Sequence, residues 1–192
     1  MVNKLEDAPR WRAPGELEDV RRFLNTWEYV TRTRETRDHL PVLASDAAGW
    51  RRRFASVRRP KAGELDDLTA LREGLRDAIE HGLDPEWVNG WLHAAGMTVA
   101  VTAEGDGSAR IRFTPSSRPS TLADVLAIVL GAIADGDWLR VKACPGCRLV
   151  FFDRTRNASK RWCQMSAREG GRACGSIAKV RSWRRRQGGD GA

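Results

Sequence analysis

The sequence lacks any long hydrophobic run. Its longest apolar-rich stretch, residues 122–134, is too short to cross a bilayer and is interrupted by Asp124. Residues 1–7 have no apolar core of the kind that a signal peptide needs. We therefore expect a cytoplasmic protein that does not enter a membrane.

Signatures of catalysis are also missing. The chain has three histidines, His39, His81 and His93, which lie far apart in sequence. It contains no phosphate-binding loop and no GxGxxG or GxSxG motif. We therefore expect that the protein is not an enzyme.

Cysteine is absent from the first 143 residues, and the four cysteines follow with the spacing C-x2-C-x15-C-x10-C. In a reducing compartment such a cluster more often binds metal than forms disulfides, although disulfides and free thiols remain alternatives. A pair separated by Pro-Gly forms a tight knuckle, and a second pair can complete a tetrahedron around zinc. The sequence predicts one structural zinc ion held by Cys144, Cys147, Cys163 and Cys174.

Acidic residues are scarce near the C-terminus. In residues 140–192, fourteen lysines and arginines accompany three acidic residues, a net charge of +11, whereas residues 1–139 carry nineteen basic and twenty-two acidic residues, a net charge of −3. Clustered cations are typical of a surface that binds phosphates, and a basic surface that serves solubility alone is the alternative.

The part of the chain before the cysteines is predicted to be mostly helical with one β-hairpin. Residues 1–16 form a lead-in whose Trp11 packs against the body. Apolar spacing predicts helices over 17–30, 46–54, 64–81, 84–95 and 121–133. The predicted N-caps are Asp46, Asp84 and either Ser120 or Thr121. Alternation predicts strands at 97–102 and 109–114, and the charged residues 32–38 are predicted to form a loop or a frayed helix end.

Four tryptophans of this body have two interpretations. Trp27, Trp50, Trp87 and Trp91 lie at helix-like spacing, which is more typical of core residues. They could also line a pocket for a small-molecule effector.

The cysteine-rich tail is predicted to contain a hairpin and a helix. A strand at 148–153, a turn at 154–160 and a return strand at 161–163 would deliver the third cysteine. Trp162 would pack over the zinc site, and stacking on a nucleic-acid base is the alternative. Ser176 would cap a helix over 177–187 that buries Ile177, Val180 and Trp183. A knuckle, a hairpin and a ligand-bearing helix resemble a treble-clef zinc module, so the predicted fold class is α+β.

Lysine and arginine on this hairpin and helix can bind phosphates, and arginine or asparagine can read base edges. The candidate nucleic-acid contacts are Arg154, Arg156, Asn157, Lys160, Arg161, Lys179, Arg181, Arg184, Arg185 and Arg186.

Residues 140–187 resemble the CGNR zinc finger proteins of bacteria. The matching residues, in order, are the Cys-x2-Cys pair, Leu149-Val150-Phe151-Phe152-Asp153-Arg154-Thr155-Arg156-Asn157, Lys160-Arg161-Trp162-Cys163-Gln164-Met165, a further Cys-Gly, and Ala178-Lys179-Val180-Arg181. The N-terminal half is similar to the helical ABATE-like domain of that family at 23–26 and 68–76.

The resemblance implies four parts: a lead-in at 1–16, an ABATE-like domain at 17–139, a zinc finger at 140–187 and a flexible tail at 188–192. It also implies a zinc-binding transcription regulator, often described as stress-induced, with double-stranded DNA as its partner. A homodimer is a further expectation. The alternatives from the residues themselves are an RNA- or ribosome-associated zinc module and a protein-interaction adaptor.

Two features depart from the family pattern. The Cys-Gly-Asn-Arg tetrapeptide that gives the family its name is Cys174-Gly175-Ser176-Ile177 here, so its Asn and Arg are missing. Residues 166–173 also lengthen the link between the last two cysteines. A longer flexible loop adds only modest closure entropy, so we expect the zinc site to tolerate it. We also expect Cys147→Ser to unfold the tail and spare the body.

Overall fold

The fold combines α-helices with small antiparallel hairpins. The computed structural model describes residues 8–103, 105–116, 118–165 and 173–188. The helices are α1 Leu17–Leu24, α2 Leu40–Ser45, α3 Ala47–Arg53, α4 Leu65–His81, α5 Pro85–Ala94, α6 Thr121–Ala134 and α7 Cys174–Gly188. The strands are β1 Trp27–Val30, β2 Glu35–Asp38, β3 Met97–Ala103, β4 Ala109–Pro115, β5 Val141–Ala143 and β6 Val150–Phe152.

Helix α1 is shorter than its apolar spacing predicted. The helix ends at Leu24, and β1 pairs with β2 so that Trp27 lies opposite Asp38. The predicted extension of the helix to Val30 was therefore wrong. The predicted loop at 32–38 is correct for the turn at 32–34 and wrong for 35–38, which form β2. Trp27 and Val30 happen to continue the helical spacing, and β2 is exposed along its whole length, so it carries no apolar signal.

The main core forms where the sequence predicted apolar helix faces. Leu68, Leu71 and Leu75 of α4 are buried, and Gly82 ends that helix with a φ of 101°. Helix α6 begins at the predicted Ser120 cap and packs against α1 and α4. The predicted Asp46 and Asp84 caps of α3 and α5 are also present.

The predicted hairpin of β3 and β4 is confirmed. Val99 faces Phe113 and Val101 faces Ile111 across the pair. Three of these side chains, Val99, Val101 and Ile111, remain exposed.

The last hairpin differs from the prediction. Strand β6 pairs with β5, so the knuckle residues 144–149 form its turn, and the predicted return strand at 161–163 is irregular. The side chains of Val141, Val150 and Phe152 join the main core. The core therefore continues from the N-terminal helices into the cysteine-rich part.

No helix among the described residues combines the length and the apolar character of a membrane span.

Candidate metal centre and basic surface

The first two cysteines lie on a tight turn between β5 and β6. The Cys144 amide donates to the Leu149 carbonyl at 2.9 Å, and the Arg148 amide donates to the Cys144 carbonyl at 2.7 Å. Arg148 has a φ of 62°, a left-handed conformation that glycine adopts more readily. These bonds direct Cys144 and Cys147 toward the same point.

The other two cysteines meet the knuckle from the far side. Cys163 follows the loop after β6, and Cys174 is the first residue of α7. The Gly175 amide donates to the Gln164 carbonyl at 2.9 Å, which ties the helix start to the third cysteine. A Cβ at Gly146 would lie 3.0 Å from the Cys174 Cβ, so glycine permits the close approach.

The four sulfur atoms have the spacing of a metal site. All lie within 4.8 Å of one another, and the Sγ atoms of Cys147 and Cys163 are 3.6 Å apart. Zn–S bonds of about 2.3 Å in a tetrahedron place the sulfurs roughly 3.8 Å apart. The cysteines are free thiols rather than disulfides. They form a site for one zinc ion, as the sequence predicted.

The crowded thiols also explain why the site needs a cation. Hydrogen bonds from Cys147, Cys163 and Cys174 lower the pKa of Cys144. The hydrogen bond between Cys163 and Cys144 raises the pKa of Cys163. Four thiolates this close repel one another, so they coexist only when a divalent ion offsets their charge. Zinc is the ion that such a set of four thiolates suits.

Aromatic side chains cover the zinc site. Trp11, Phe151 and Cys163 belong to one buried cluster, and Trp162 packs partly buried against it. The Trp11 Nε1 donates to the Cys163 carbonyl at 2.8 Å. The lead-in thus forms part of the wall of the metal centre, which the sequence did not reveal.

Two side chains of the N-terminal helices bind the backbone of the knuckle hairpin. Asn25 exchanges two hydrogen bonds of 2.9 Å with the amide and carbonyl of Val150. Arg76 donates to the carbonyls of Leu24 and Arg148, both at 2.8 Å, and lies 4.4 Å from the Trp27 ring. Burial and the nearby Arg148 charge lower the pKa of Arg76 to about 10. The metal centre is therefore fixed to α1 and α4.

A buried carboxylate organises the basic loop after β6. Asp153 accepts from the amide and hydroxyl of Thr155 at 2.9 and 2.6 Å, and from the Lys160 amide at 2.7 Å. Lys142 pairs with it at 3.2 Å. Burial alone would raise its pKa, but these hydrogen bonds outweigh it and lower the pKa of Asp153 to about 2. The hydrogen bonds to the Asp153 carboxylate thus fix the conformation of the loop between Asp153 and Lys160.

The predicted nucleic-acid contacts fall on two surfaces. On the loop, Arg156 and Asn157 are exposed, the Arg154 Nε donates to the Arg12 carbonyl at 3.1 Å, and Arg161 lies 5.9 Å from the Trp162 ring. Lys160 is half-buried, 5.1 Å from the Phe151 ring. On α7 the exposed cations are Lys179, Arg181, Arg184, Arg185 and Arg186.

Helix α7 departs from its predicted burial. Val180 is 48% exposed and Trp183 is 55% exposed, so the predicted buried stripe was wrong beyond Ile177. The helix also begins at Cys174, and Ser176 donates to the Ala173 carbonyl at 2.9 Å instead of capping it. Among the described residues only its first turn is packed. The longer link predicted at 166–173 lies, apart from Ala173, outside the described residues.

The four tryptophans do not act as one group. Trp50 is buried in the main core and donates to the Val57 carbonyl at 2.9 Å. Trp87 and Trp91 contact each other, edge to face, with centroids 6.2 Å apart. Trp27 lies under Arg76. Trp50 belongs to the main core and Trp87 and Trp91 pack against it, as the core interpretation predicts, whereas Trp27 lies outside the core cluster.

A knuckle, a braced loop and a ligand-bearing helix around four cysteines define a zinc-finger-like unit. Residues 140–187 match the sequence model of the CGNR zinc finger. This finding confirms the resemblance of the tail, whereas the ABATE-like character of residues 17–139 stays a prediction. No curated protein matches the chain.

Several residues that shape the site were not among the sequence candidates: Trp11, Asn25, Lys142, Arg148 and Asp153. One of them had a local signal, because an Asp two residues before a Thr is typical of a turn closed by the aspartate side chain. Trp11 and Asn25 act across more than 100 residues, and Arg148 acts through its backbone conformation, for which the sequence offers no local pattern. Lys142 reaches Asp153 across 11 residues, through the pairing of β5 with β6.

Proposed function

We propose that this protein binds double-stranded DNA through its zinc finger and acts as a transcription regulator of the bacterial type. The observation that carries the proposal is the loop braced by Asp153, which presents Arg154, Arg156 and Arg161 at the surface. A loop that already holds one backbone conformation does not need to be ordered when its arginines bind phosphates. The planar guanidinium also loses less freedom for each hydrogen bond than a lysine ammonium does.

Charge supports the same conclusion. Four thiolates and one Zn²⁺ add −2 to the +11 of residues 140–192, which leaves about +9. Duplex DNA presents a dense row of phosphates, and release of its counterions favours a basic partner. The proposal includes no catalytic step, because four protein ligands leave zinc without an open position.

Base readout would come from the loop rather than from the altered tetrapeptide. This chain has Ser176 and Ile177 where the family has Asn and Arg. The Ser176 hydroxyl donates to the Ala173 carbonyl, and Ile177 is half-buried. Arg156 and Asn157 at the loop tip carry the groups that bind guanine and adenine edges.

A salt series tests the proposal. The zinc-loaded chain is titrated into labelled duplex DNA from about 50 to 200 mM salt, where the affinity of a protein with several phosphate contacts falls steeply. We expect a log–log slope of several units. Failure to retard any duplex at the lowest salt would remove the proposal.

Exposure of Trp183 favours a second candidate, single-stranded or structured RNA. An exposed indole beside arginines can stack on an unpaired base. Competition between duplex DNA and structured RNA of equal length separates the two. Stronger competition by RNA, weakened by Trp183→Ala, would favour the second candidate.

A further inference from the structure

A surface cavity of about 510 Å³ lies on the N-terminal domain, away from the cysteines in sequence. Four arginines from three segments line it: Arg12, Arg22, Arg52 and Arg53. Asp46 is the carboxylate in the lining. The volume falls within the range of about 300–1,000 Å³ that small-molecule sites occupy.

The fold fixes at least one of these arginines in place. Arg22 donates to the Arg53 carbonyl at 2.8 Å and pairs with Glu18 at 3.0 Å, so its guanidinium is fixed. Arg52 is 72% exposed and lies 3.8 Å from Asp46. A guanidinium presents a planar fork that matches the oxygen atoms of a phosphate.

Two carboxylates offset only part of this charge, because Asp46 lies near Arg52 and Glu18 pairs with Arg22, which leaves four guanidinium groups against two carboxylates. Asp46 accepts from the amides of Ala48 and Gly49 at 3.1 and 2.9 Å, so one of its oxygens caps α3. Positive charges that converge on one cavity repel one another, and an anion relieves that repulsion. The lining therefore favours a ligand with more than one negative charge.

We propose that this cavity binds the phosphate groups of a phosphorylated small molecule. Its position adds a consequence for the finger, because the Arg12 carbonyl accepts the hydrogen bond from Arg154 of the basic loop. The ligand would bind next to the residue that anchors the first arginine of that loop.

Calorimetric titration of the full zinc-loaded chain with ADP, pyrophosphate and adenosine tests the proposal. ADP and pyrophosphate bind, and adenosine, which lacks phosphate, does not. Arg12→Ala and Arg52→Ala each weaken ADP binding by about tenfold, because each removes a charge-assisted hydrogen bond. Arg51→Ala is the matched control, since Arg51 is exposed on the same helix but lies outside the lining.

Three results would overturn the proposal. One is the absence of ADP and pyrophosphate binding at millimolar concentrations. Another is equal weakening by Arg51→Ala, which would indicate a diffuse charge effect. The third is that Arg52→Ala weakens binding of duplex DNA and leaves ADP binding unchanged, which would assign the cavity to the nucleic-acid surface. ADP binding requires no DNA, so this test and that of the DNA-binding proposal fail independently.

Discussion

Asn25, directly after α1, and Val150, in β6, exchange two buried hydrogen bonds of 2.9 Å across 125 residues of sequence. The amide side chain satisfies both backbone groups of Val150, as a neighbouring strand would. The metal hairpin is therefore bound to the N-terminal helices through its backbone as well as through apolar packing. Substitutions far from the cysteines should consequently affect the zinc site.

Asn25→Ala should lower the free energy of unfolding by about 2 kcal/mol, because it leaves the buried Val150 amide without its partner and the Val150 carbonyl with only the longer hydrogen bond of 3.4 Å from Arg21. It should also speed the transfer of zinc to a chelator. Urea unfolding and chelator kinetics measure the two effects. Asn89→Ala, at an exposed position, is the control, and equal behaviour of the two variants would show that the bonds to Val150 contribute nothing.

Trp11→Phe should release zinc faster than the wild-type protein. The substitution keeps most of the apolar contact with the zinc cluster but loses the hydrogen bond to the Cys163 carbonyl, at a cost of about 1 kcal/mol. Trp11→Ala should cost about 3–5 kcal/mol because it also leaves a cavity. Chelator-driven zinc release measures both, and unchanged rates would argue against a role of the lead-in in the site.

Arg148→Gly should be more stable than Arg148→Ala by about 1 kcal/mol, because only glycine adopts the left-handed conformation without steric cost. Both variants lose the ion pair of Arg148 with Glu80, so that loss cancels in the comparison. Urea unfolding of the two zinc-loaded variants gives the difference. Greater stability of the alanine variant would contradict the positive φ.

Removal of zinc should destabilise the whole chain. The sequence led us to expect that Cys147→Ser unfolds the tail and spares the body, but Val141, Val150 and Phe152 belong to the main core. We now expect the wild-type protein to hold about one zinc ion per chain, and Cys147→Ser to lower the unfolding temperature of the N-terminal helices as well. Metal analysis and thermal unfolding followed by helical circular dichroism provide the measurements. A full helical transition at the wild-type temperature would support an independent tail.

The sequence predicted the parts of the fold that depend on local pattern. The α4 stripe, the caps at Asp46, Asp84 and Ser120, and the β3–β4 hairpin all follow from spacing and turn residues. The four cysteines were equally clear, because their spacing alone restricts the chemistry.

The pairing of strands and the burial of side chains could not be predicted from local sequence patterns. Strand β6 could pair with either neighbour, and the choice of β5 depends on contacts of Val150 with Asn25 far away in sequence. Val180 and Trp183 looked like a buried face, but a periodic pattern does not show whether a partner surface lies opposite it. Trp11 gave no sign that it would reach the zinc site.

The proposed function requires that the loop held by Asp153 contacts phosphates. Its most direct test is the salt dependence of duplex binding by the zinc-loaded wild type and by Arg156→Ala/Arg161→Ala, with Arg32→Ala as an exposed control. Each phosphate contact contributes about one unit to the log–log slope. We predict that the double variant loses about two units and that the control loses none. An unchanged slope in the double variant, with zinc content intact, would contradict the account.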